Sequence, residues 1–265
     1  MTGQIAGLYW ESHGRKDAEP LILSSGLGGS GQYWKPNLAA LAEHFRVILY
    51  DHRGTGRSDR TLAGRVTVET MAEDVIALMD GLGIEKAHFV GHAAGGVIGL
   101  SLALSAPERL LGVVVVNGWS KLDPHFARCF DTRLALLRDG GVRAYLKAQP
   151  IFLYPANWSS DHSAQLDAEL EEQIMGFPDP DTIVRRVTAL RSFDIDDRLG
   201  EIRMPVLLIV SEDDMLVPAQ CSHHLSKAIP LAKLGVLGSG GHACNVTRPE
   251  TFNRIVLSWL SQSDN

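Results

Sequence analysis

The stretch Val90–Gly96, VGHAAGG, has the pattern of a sharp turn between a strand and a helix. An apolar run precedes it, glycines stand at positions 91 and 95, and a helical pattern of apolar residues follows it. These features are typical of the turn G-x-S-x-G, whose central serine is an exposed nucleophile. Ala93 occupies the serine position here. The sequence therefore predicts the turn without its reactive atom.

Short β-branched runs alternate with helical patterns along most of the chain, which is typical of a parallel sheet covered by helices on both faces. The predicted strands are Gly7–Ser12 at an antiparallel edge, then Leu21–Ser25, Arg46–Tyr50, Ala87–Val90, Leu111–Asn117, Val206–Val210 and Ala232–Leu237. Between Trp119 and Arg203 the sequence has helical patterns only. We therefore expect an α/β core of residues 1–118 and 204–265. Residues 119–203 are expected to form a helical cap over the carboxyl end of the sheet, where such sheets bind ligands.

The composition limits the kinds of partner that the chain can have. Its formal net charge is −6 and its Lys and Arg residues are scattered, which argues against a nucleic-acid partner. No apolar run is long enough for a membrane span, and the first residues, MTGQIAGLYWESHG, lack the pattern of a signal peptide. We therefore expect a cytoplasmic protein with a small-molecule partner, no nucleic-acid or membrane partner, and a homodimer left open as its assembly.

The sequence predicts neither a metal nor a cofactor. His88 and His92 are four residues apart, but Gly91 is expected to break the strand between them. They therefore cannot share a helix face as zinc ligands do. The cysteines have no paired or metal-type spacing; they are Cys129, Cys221 and Cys244.

The glycine-rich loop Ser25–Gly31, SGLGGSG, permits two interpretations. It contains the dinucleotide pattern G-x-G-x-x-G, and Asp51 ends the next predicted strand, where a ribose-binding acid stands. Alternatively, the loop presents the backbone N–H of Leu27 to a developing negative charge, as part of an oxyanion hole. The segment DHRGTGRSD, which begins at Asp51, favours the oxyanion hole, because a ribose-binding acid normally stands alone after its strand.

Two later loops supply an acid and a histidine. VSEDDMLVP leaves one predicted strand and contains Asp214, and GSGGHACN leaves the last strand and presents His242. The order of turn, acid and histidine is that of a hydrolase catalytic triad. We therefore predict that Asp214 orients His242, and that the N–H of Ala94 joins that of Leu27 in the oxyanion hole.

The missing serine limits the chemistry. Serine proteases that lack a triad member retain roughly 10³–10⁴-fold catalysis, which corresponds to about 4–5.5 kcal/mol. Such a rate is sufficient only for a substrate that already decomposes unaided, with His242 and Asp214 activating a water molecule. Two alternatives are a serine esterase whose nucleophile was changed to Ala93 by engineering, and a non-catalytic binding protein.

Several segments resemble one family. SGLGGSGQYW, YDHRGTG, GHAAGG, VNGWS, AQPIFLYPANW and GGHACNVTRPETFN are similar to the RutD family, the aminoacrylate or carbamate hydrolases of the Rut pathway of pyrimidine degradation. The similarity extends from about Leu21 to the C-terminus. It implies the α/β-hydrolase fold, with a helical cap after the sixth strand of a mostly parallel sheet. The family also has alanine at the turn, which implies that Ala93 is native.

The resemblance also implies the substrate. It would be 3-aminoacrylate, which yields malonic semialdehyde and ammonia, or carbamate, which yields ammonia and carbon dioxide. Both are small carboxylate anions, so an arginine of the cap is expected to face the pocket. Arg128 and Arg191 are the candidates for this role, and Trp119, Tyr33 and Tyr154 are candidates for the pocket wall.

Overall fold

The turn at Ala93 lies in the middle of an eight-stranded sheet. The computed structural model describes residues 1–261, and its strands follow the order β1-β2-β4-β3-β5-β6-β7-β8. The first two strands are antiparallel and the others are parallel, which confirms the expected mostly parallel sheet. The strands are β1 Thr2–Ile5, β2 Leu8–His13, β3 Pro20–Ser24, β4 Arg46–Tyr50, β5 Ala87–His92, β6 Leu110–Val116, β7 Val206–Ser211 and β8 Ala232–Leu237.

Two strand assignments differ from the sequence prediction by more than one residue at an end. Strand β1 was not predicted; it pairs with β2 and extends the antiparallel edge. Strand β5 was expected to end at Val90, but it continues to His92, because Gly91 and His92 pair with Val115 and Val116 of β6. The expectation that Gly91 breaks the strand was therefore wrong.

The helices cover both faces of the sheet. Alternate strand residues point to opposite faces, so Ile22 packs in one core cluster while Leu21 and Leu23 pack in the other. The first cluster includes residues of α2, α3 and α8, and the second includes residues of α1 and α10. These helices and the short α9 are α1 Lys35–Ala42, α2 Val68–Gly81, α3 Ala94–Ser105, α8 Ala219–Ala228, α9 Cys244–Thr247 and α10 Pro249–Leu260.

The segment between β6 and β7 is helical. It contains α4 Pro124–Leu153, α5 Ala156–Asp161, α6 Ser163–Gly176 and α7 Pro180–Ser192. Helix α4 is interrupted at Gly141, whose φ of 73° is outside the helical region. The structure thus has helices after the sixth strand, and we refer to this segment as the cap.

The turn between β5 and α3 is tight enough to require glycine on both sides of Ala93. A Cβ atom on Gly91 would lie 2.1 Å from the carbonyl oxygen of Gly95, and one on Gly95 would lie 2.2 Å from that of Ser24. Ala93 itself has φ 49° and ψ −107°, a conformation that L residues rarely adopt. Its N–H donates to the carbonyl of Val116 at 2.8 Å, which helps to hold the strained residue.

We predict that Gly95→Ala destabilises the protein by about 1–3 kcal/mol or more, because the added methyl must displace the backbone of β3. Gly176→Ala is the matched control, since a Cβ there meets nothing within 4 Å; its effect should stay within about 0.5 kcal/mol. Urea unfolding of both variants measures the difference. Equal free energies of unfolding would contradict the close contact at Ser24.

Candidate active site

His242 and Asp214 form a buried hydrogen-bonded pair. The Nδ1–H of His242 donates to Oδ2 of Asp214 at 2.8 Å, and the side chains are 3% and 0% exposed. The other oxygen of Asp214 accepts the N–H groups of Leu216 and Val217 at 2.7 and 2.9 Å. These bonds fix the carboxylate, and the carboxylate fixes the histidine tautomer. Nε2 of His242 therefore carries the lone pair and can accept a proton.

Asp213, the neighbouring acid, holds the histidine loop. Its Oδ1 accepts the N–H groups of Gly240 and Gly241 at 2.9 and 2.8 Å, and also the hydroxyl of Ser211. These contacts join the end of β7 to the loop that carries His242. The two adjacent acids thus have separate roles: Asp214 contacts the imidazole, and Asp213 shapes the backbone that presents it.

Asn117 and His92 secure the same loop from the other side. Nδ2 of Asn117 and Nε2 of His92 both donate to the carbonyl oxygen of His242, at 2.7 and 2.8 Å. Asn117 has φ 50°, and its Oδ1 accepts the N–H of Ser211. Burial, together with the nearby His242, lowers the pKa of His92 well below 6.5, so His92 stays neutral at pH 7. Sequence reasoning missed both residues, although Asn117-Gly118 is a turn signal.

The two predicted oxyanion donors lie at the ends of neighbouring strands. Ala94 begins α3, so its N–H has no acceptor within the helix. In the loop after β3, the carbonyl of Gly26 accepts the N–H of Gly29 at 3.0 Å. Because a trans peptide points its C=O and N–H in opposite directions, the N–H of Leu27 is turned away from this bond. Strands β3 and β5 pair directly, which brings the two loops together.

The three aromatic residues predicted for the pocket wall have different neighbours, and within residues 1–261 only one of them contacts a ring that touches His242. Tyr33 stacks on His92 with ring centroids 4.8 Å apart, and His92 contacts the ring of His242. Trp119 is buried in contact with Phe126, and its indole N–H has no acceptor among the described residues. Tyr154 packs against Trp158 at the end of α4. The ring of His92 therefore lies between the rings of Tyr33 and His242.

The two candidate arginines have other partners. Arg128 is exposed and donates to the carbonyl of Pro124, one turn earlier in the same helix. Arg191 is one-third exposed and pairs with Asp131 at 2.5 Å. Within residues 1–261 neither has a hydrogen bond or ion pair to His242, so their role in substrate binding stays a prediction.

Arg186 is the arginine that sequence reasoning missed. It comes from α7 of the cap and is 1% exposed. Its Nη2 donates to Nδ1 of His52 at 2.8 Å, and its Nε donates to the carbonyl of Leu27 at 3.1 Å. Burial lowers its pKa to about 10, still well above neutral pH. A cation of the cap therefore contacts the loop that carries a predicted oxyanion donor. It also borders a cavity of about 320 Å³ beside His52 and α2.

The contacts of Asp51 argue against the dinucleotide-binding interpretation of the glycine-rich loop. The carboxylate of Asp51 is fully buried and accepts the N–H of Gly31 at 2.8 Å and that of Arg57 at 2.9 Å. The guanidinium of Arg57 also donates to both carboxylate oxygens. Asp51 therefore fastens two loops to each other and has no oxygen left to hold a ribose.

Two further features can be stated for residues 1–261. No helix in that range is long and apolar enough to cross a bilayer. The same range contains no group of three or more His, Cys, Asp or Glu side chains that could hold a metal ion.

Comparison with known proteins gives consistent results. The family model for the alpha/beta hydrolase fold matches residues 19–249. A relative from Caulobacter sp. strain K31, named as a candidate carbamate hydrolase RutD, is 56% identical over 98% of both chains. One of the same name from Agrobacterium fabrum is 47% identical over 97% of this chain and 99% of the relative.

Solved structures agree with these matches. A hydrolase from Pseudomonas aeruginosa has a TM-score of 0.86 at 28% identity, covering 96% of this chain and 94% of that one. The enol-lactonase from Burkholderia xenovorans has a TM-score of 0.87 at 26% identity, covering 98% and 100%.

We predict that His92 makes the protein less stable in acid. Its folded-state pKa lies below the unfolded value of about 6.5, so the unfolded chain binds the extra proton first. Stability is therefore lost as pH falls below 6.5, at up to about 1.4 kcal/mol per pH unit for one such group. His92→Gln should make the dependence shallower by about 1 kcal/mol per unit between pH 6 and pH 5.

Urea unfolding across this pH range measures the slope. His44→Gln is the control, because His44 is exposed; it should leave the slope unchanged. The same slope for wild type and His92→Gln would show that His92 is not buried in its neutral form.

Proposed function

The chain belongs to the α/β-hydrolase family and is a hydrolase of the RutD type, and we propose that it hydrolyses carbamate, releasing ammonia and carbon dioxide. The observation that carries the proposal is the intact Asp214–His242 pair beside a turn that keeps its strained form at Ala93. The names of the curated relatives support carbamate. The same site chemistry would serve 3-aminoacrylate, another small nitrogen-bearing carboxylate, which is the second substrate to test.

The proposed reaction has water as its nucleophile. Ala93 is 6% exposed and ends in a methyl group, so a water molecule takes the position of the absent hydroxyl. Nε2 of His242 accepts the water proton as the oxygen attacks the carbon of carbamate. The N–H groups of Leu27 and Ala94 stabilise the negative charge that develops on oxygen. The C–N bond then breaks, and His242 returns the proton to the departing nitrogen. The products are ammonia and bicarbonate, which is the hydrated and deprotonated form of carbon dioxide.

The buried pair suits this role for an electrostatic reason. When His242 accepts a proton, the resulting imidazolium lies 2.8 Å from the Asp214 carboxylate, in a site with little access to solvent. The attraction between opposite charges is much stronger there than in water. A non-catalytic binding protein has no need for this arrangement, which supports an enzyme.

The reactivity of the substrate completes the energetic argument. Without a serine there is no covalent intermediate. Serine proteases that lack a triad member keep a rate enhancement of roughly 10³–10⁴-fold, and we expect a similar value here. A stable ester or amide would still hydrolyse slowly at that rate. Carbamate and aminoacrylate decompose without a catalyst, so a modest acceleration is sufficient.

We predict that His242→Ala lowers the enzyme-dependent rate of ammonia release by about 10²–10⁴-fold, because the water loses its general base. Freshly dissolved carbamate, and aminoacrylate generated in situ, would be assayed separately with a buffer blank. His44→Ala, a change at an exposed histidine, should behave as wild type. A wild-type rate equal to the blank with both substrates would refute the proposed function.

Ala93→Ser tests the identity of the nucleophile. In the proposed reaction the added hydroxyl displaces the attacking water, so ammonia release should fall about tenfold or more. Labelling with a fluorophosphonate and turnover of a simple ester are measured in parallel. Robust ester turnover by Ala93→Ser, with no carbamate hydrolysis by either form, would instead support an esterase that had lost its serine.

A further inference from the structure

Arg186 is a buried cation, and its two hydrogen-bond acceptors within residues 1–261 are both neutral. They are the Nδ1 atom of His52 and the carbonyl oxygen of Leu27. No carboxylate lies within 4.0 Å of its guanidinium among residues 1–261. Asp74 is an acid close enough to affect the pKa of Arg186. Both of its carboxylate oxygens already accept hydrogen bonds from Arg53. Burying a charge without an ion-pair partner is costly, so stability alone does not explain this arrangement.

His52 connects the arginine to the ends of two strands. Burial and the neighbouring Arg186 lower the pKa of His52 well below 6.5, so the imidazole is neutral and its Nδ1 accepts from the guanidinium. Its Nε2–H then donates to the hydroxyl of Ser24 at 3.0 Å, at the end of β3. The hydroxyls of Ser24 and Tyr50 bond to each other at 2.8 Å. The chain of bonds thus extends from the cap to β3 and β4.

The bond to Leu27 acts on the loop that carries a predicted oxyanion donor. Within the loop, the N–H of Gly29 bonds to the carbonyl of Gly26. At its far end, the N–H of His52 bonds to the carbonyl of Gly29 at 2.7 Å. Between these points the carbonyl of Leu27 is held by Arg186. Loss of that bond would free the central peptide of this turn, between Leu27 and Gly28, to rotate. It would thereby weaken the bond from Gly29 to the carbonyl of Gly26, which belongs to the same peptide as the N–H of Leu27.

We propose that Arg186 is a positioning residue, by which the cap stiffens the Gly26–Gly29 turn and so holds the peptide that carries the Leu27 N–H. The core supplies the donor, and the cap supplies the contact that stiffens the turn around it. Arg186 need not touch the substrate to have this effect, since a misplacement of about 1 Å at a catalytic group can cost 10²-fold in rate. The kinetic part of this inference rests on the proposed function, whereas the effect on the loop does not.

The chain offers a matched control in Arg133. It is also a buried arginine of the cap, but its Nη2 donates to the hydroxyl of Tyr145 and to Oε1 of Gln149, which both belong to α4. Removing this guanidinium disturbs the cap without touching the Leu27 loop. Arg186→Gln and Arg133→Gln therefore remove the same charge from different networks.

Hydrogen exchange followed by NMR tests the loop directly. We expect Arg186→Gln to accelerate exchange of the Gly29 amide, which bonds to the carbonyl of Gly26, about tenfold or more, and Arg133→Gln to leave it unchanged. Arg186→Lys, which keeps the charge and can replace one of the two bonds, should lie between wild type and Arg186→Gln. It also provides a second variant if Arg186→Gln folds poorly. Unchanged exchange in both Arg186 variants, or an equal rise in Arg133→Gln, would overturn the proposal.

Carbamate kinetics provide the second readout. Arg186→Gln should lower kcat about 10–100-fold and change KM less than threefold, because the contact affects alignment more than binding. A rise in KM with unchanged kcat would show that Arg186 binds substrate, and would overturn the positioning role. If wild type itself hydrolyses neither substrate, the proposed function fails, and the exchange experiment still decides whether Arg186 orders the loop.

Discussion

The site depends on the close approach of α3 to β3. At Gly95 the two backbones are so near that a single methyl group would lie 2.2 Å from the carbonyl oxygen of Ser24. This contact places the first turn of α3 beside the loop that follows β3. The N–H groups of Ala94 and Leu27, which belong to distant parts of the sequence, can therefore serve one reacting centre. Ser24 also bonds to His52, so the same point of the sheet belongs to the network that leads to Arg186.

The histidine loop depends on a second convergence, at the carboxyl ends of β6 and β7. Asn117 follows β6, Asp213 follows β7, and both hold the backbone around His242. Parallel strands deliver their following loops to one edge of the sheet, which is why α/β sheets place their ligands there. His242, the proposed general base, is thus fixed by its backbone as well as by Asp214. A histidine held in this way can accept a proton without first having to be oriented.

The parts of the molecule that the sequence predicted are those with a local signal. The parallel strands and the turn at Ala93 follow from short β-branched runs and from glycines at fixed spacing. Asp214 and His242 follow from the order of loops after predicted strands. Arg186 had no such signal, because its acceptor at Leu27 is 159 residues away. Arg128 and Arg191 were equally plausible in the sequence, and only the packing of α7 distinguishes Arg186 from them. The edge strand β1 was missed for a similar reason, since its identity depends on its pairing with β2.

Ala93 shows which features of the turn are independent of its nucleophile. A non-glycine residue in such a conformation costs about 1–3 kcal/mol, which the surroundings must offset. The offsetting contacts are still present: two glycines that leave space for the backbone, and the bond from Ala93 N–H to Val116. The strained turn aims the N–H of Ala94 as well as the side chain at position 93. With alanine there, the turn keeps its form for the proposed oxyanion donor, and the proposed reaction uses direct attack by water in place of a covalent route. An alanine at position 93 therefore agrees with the reactive substrates that we propose, and the contacts around His242 do not depend on a serine.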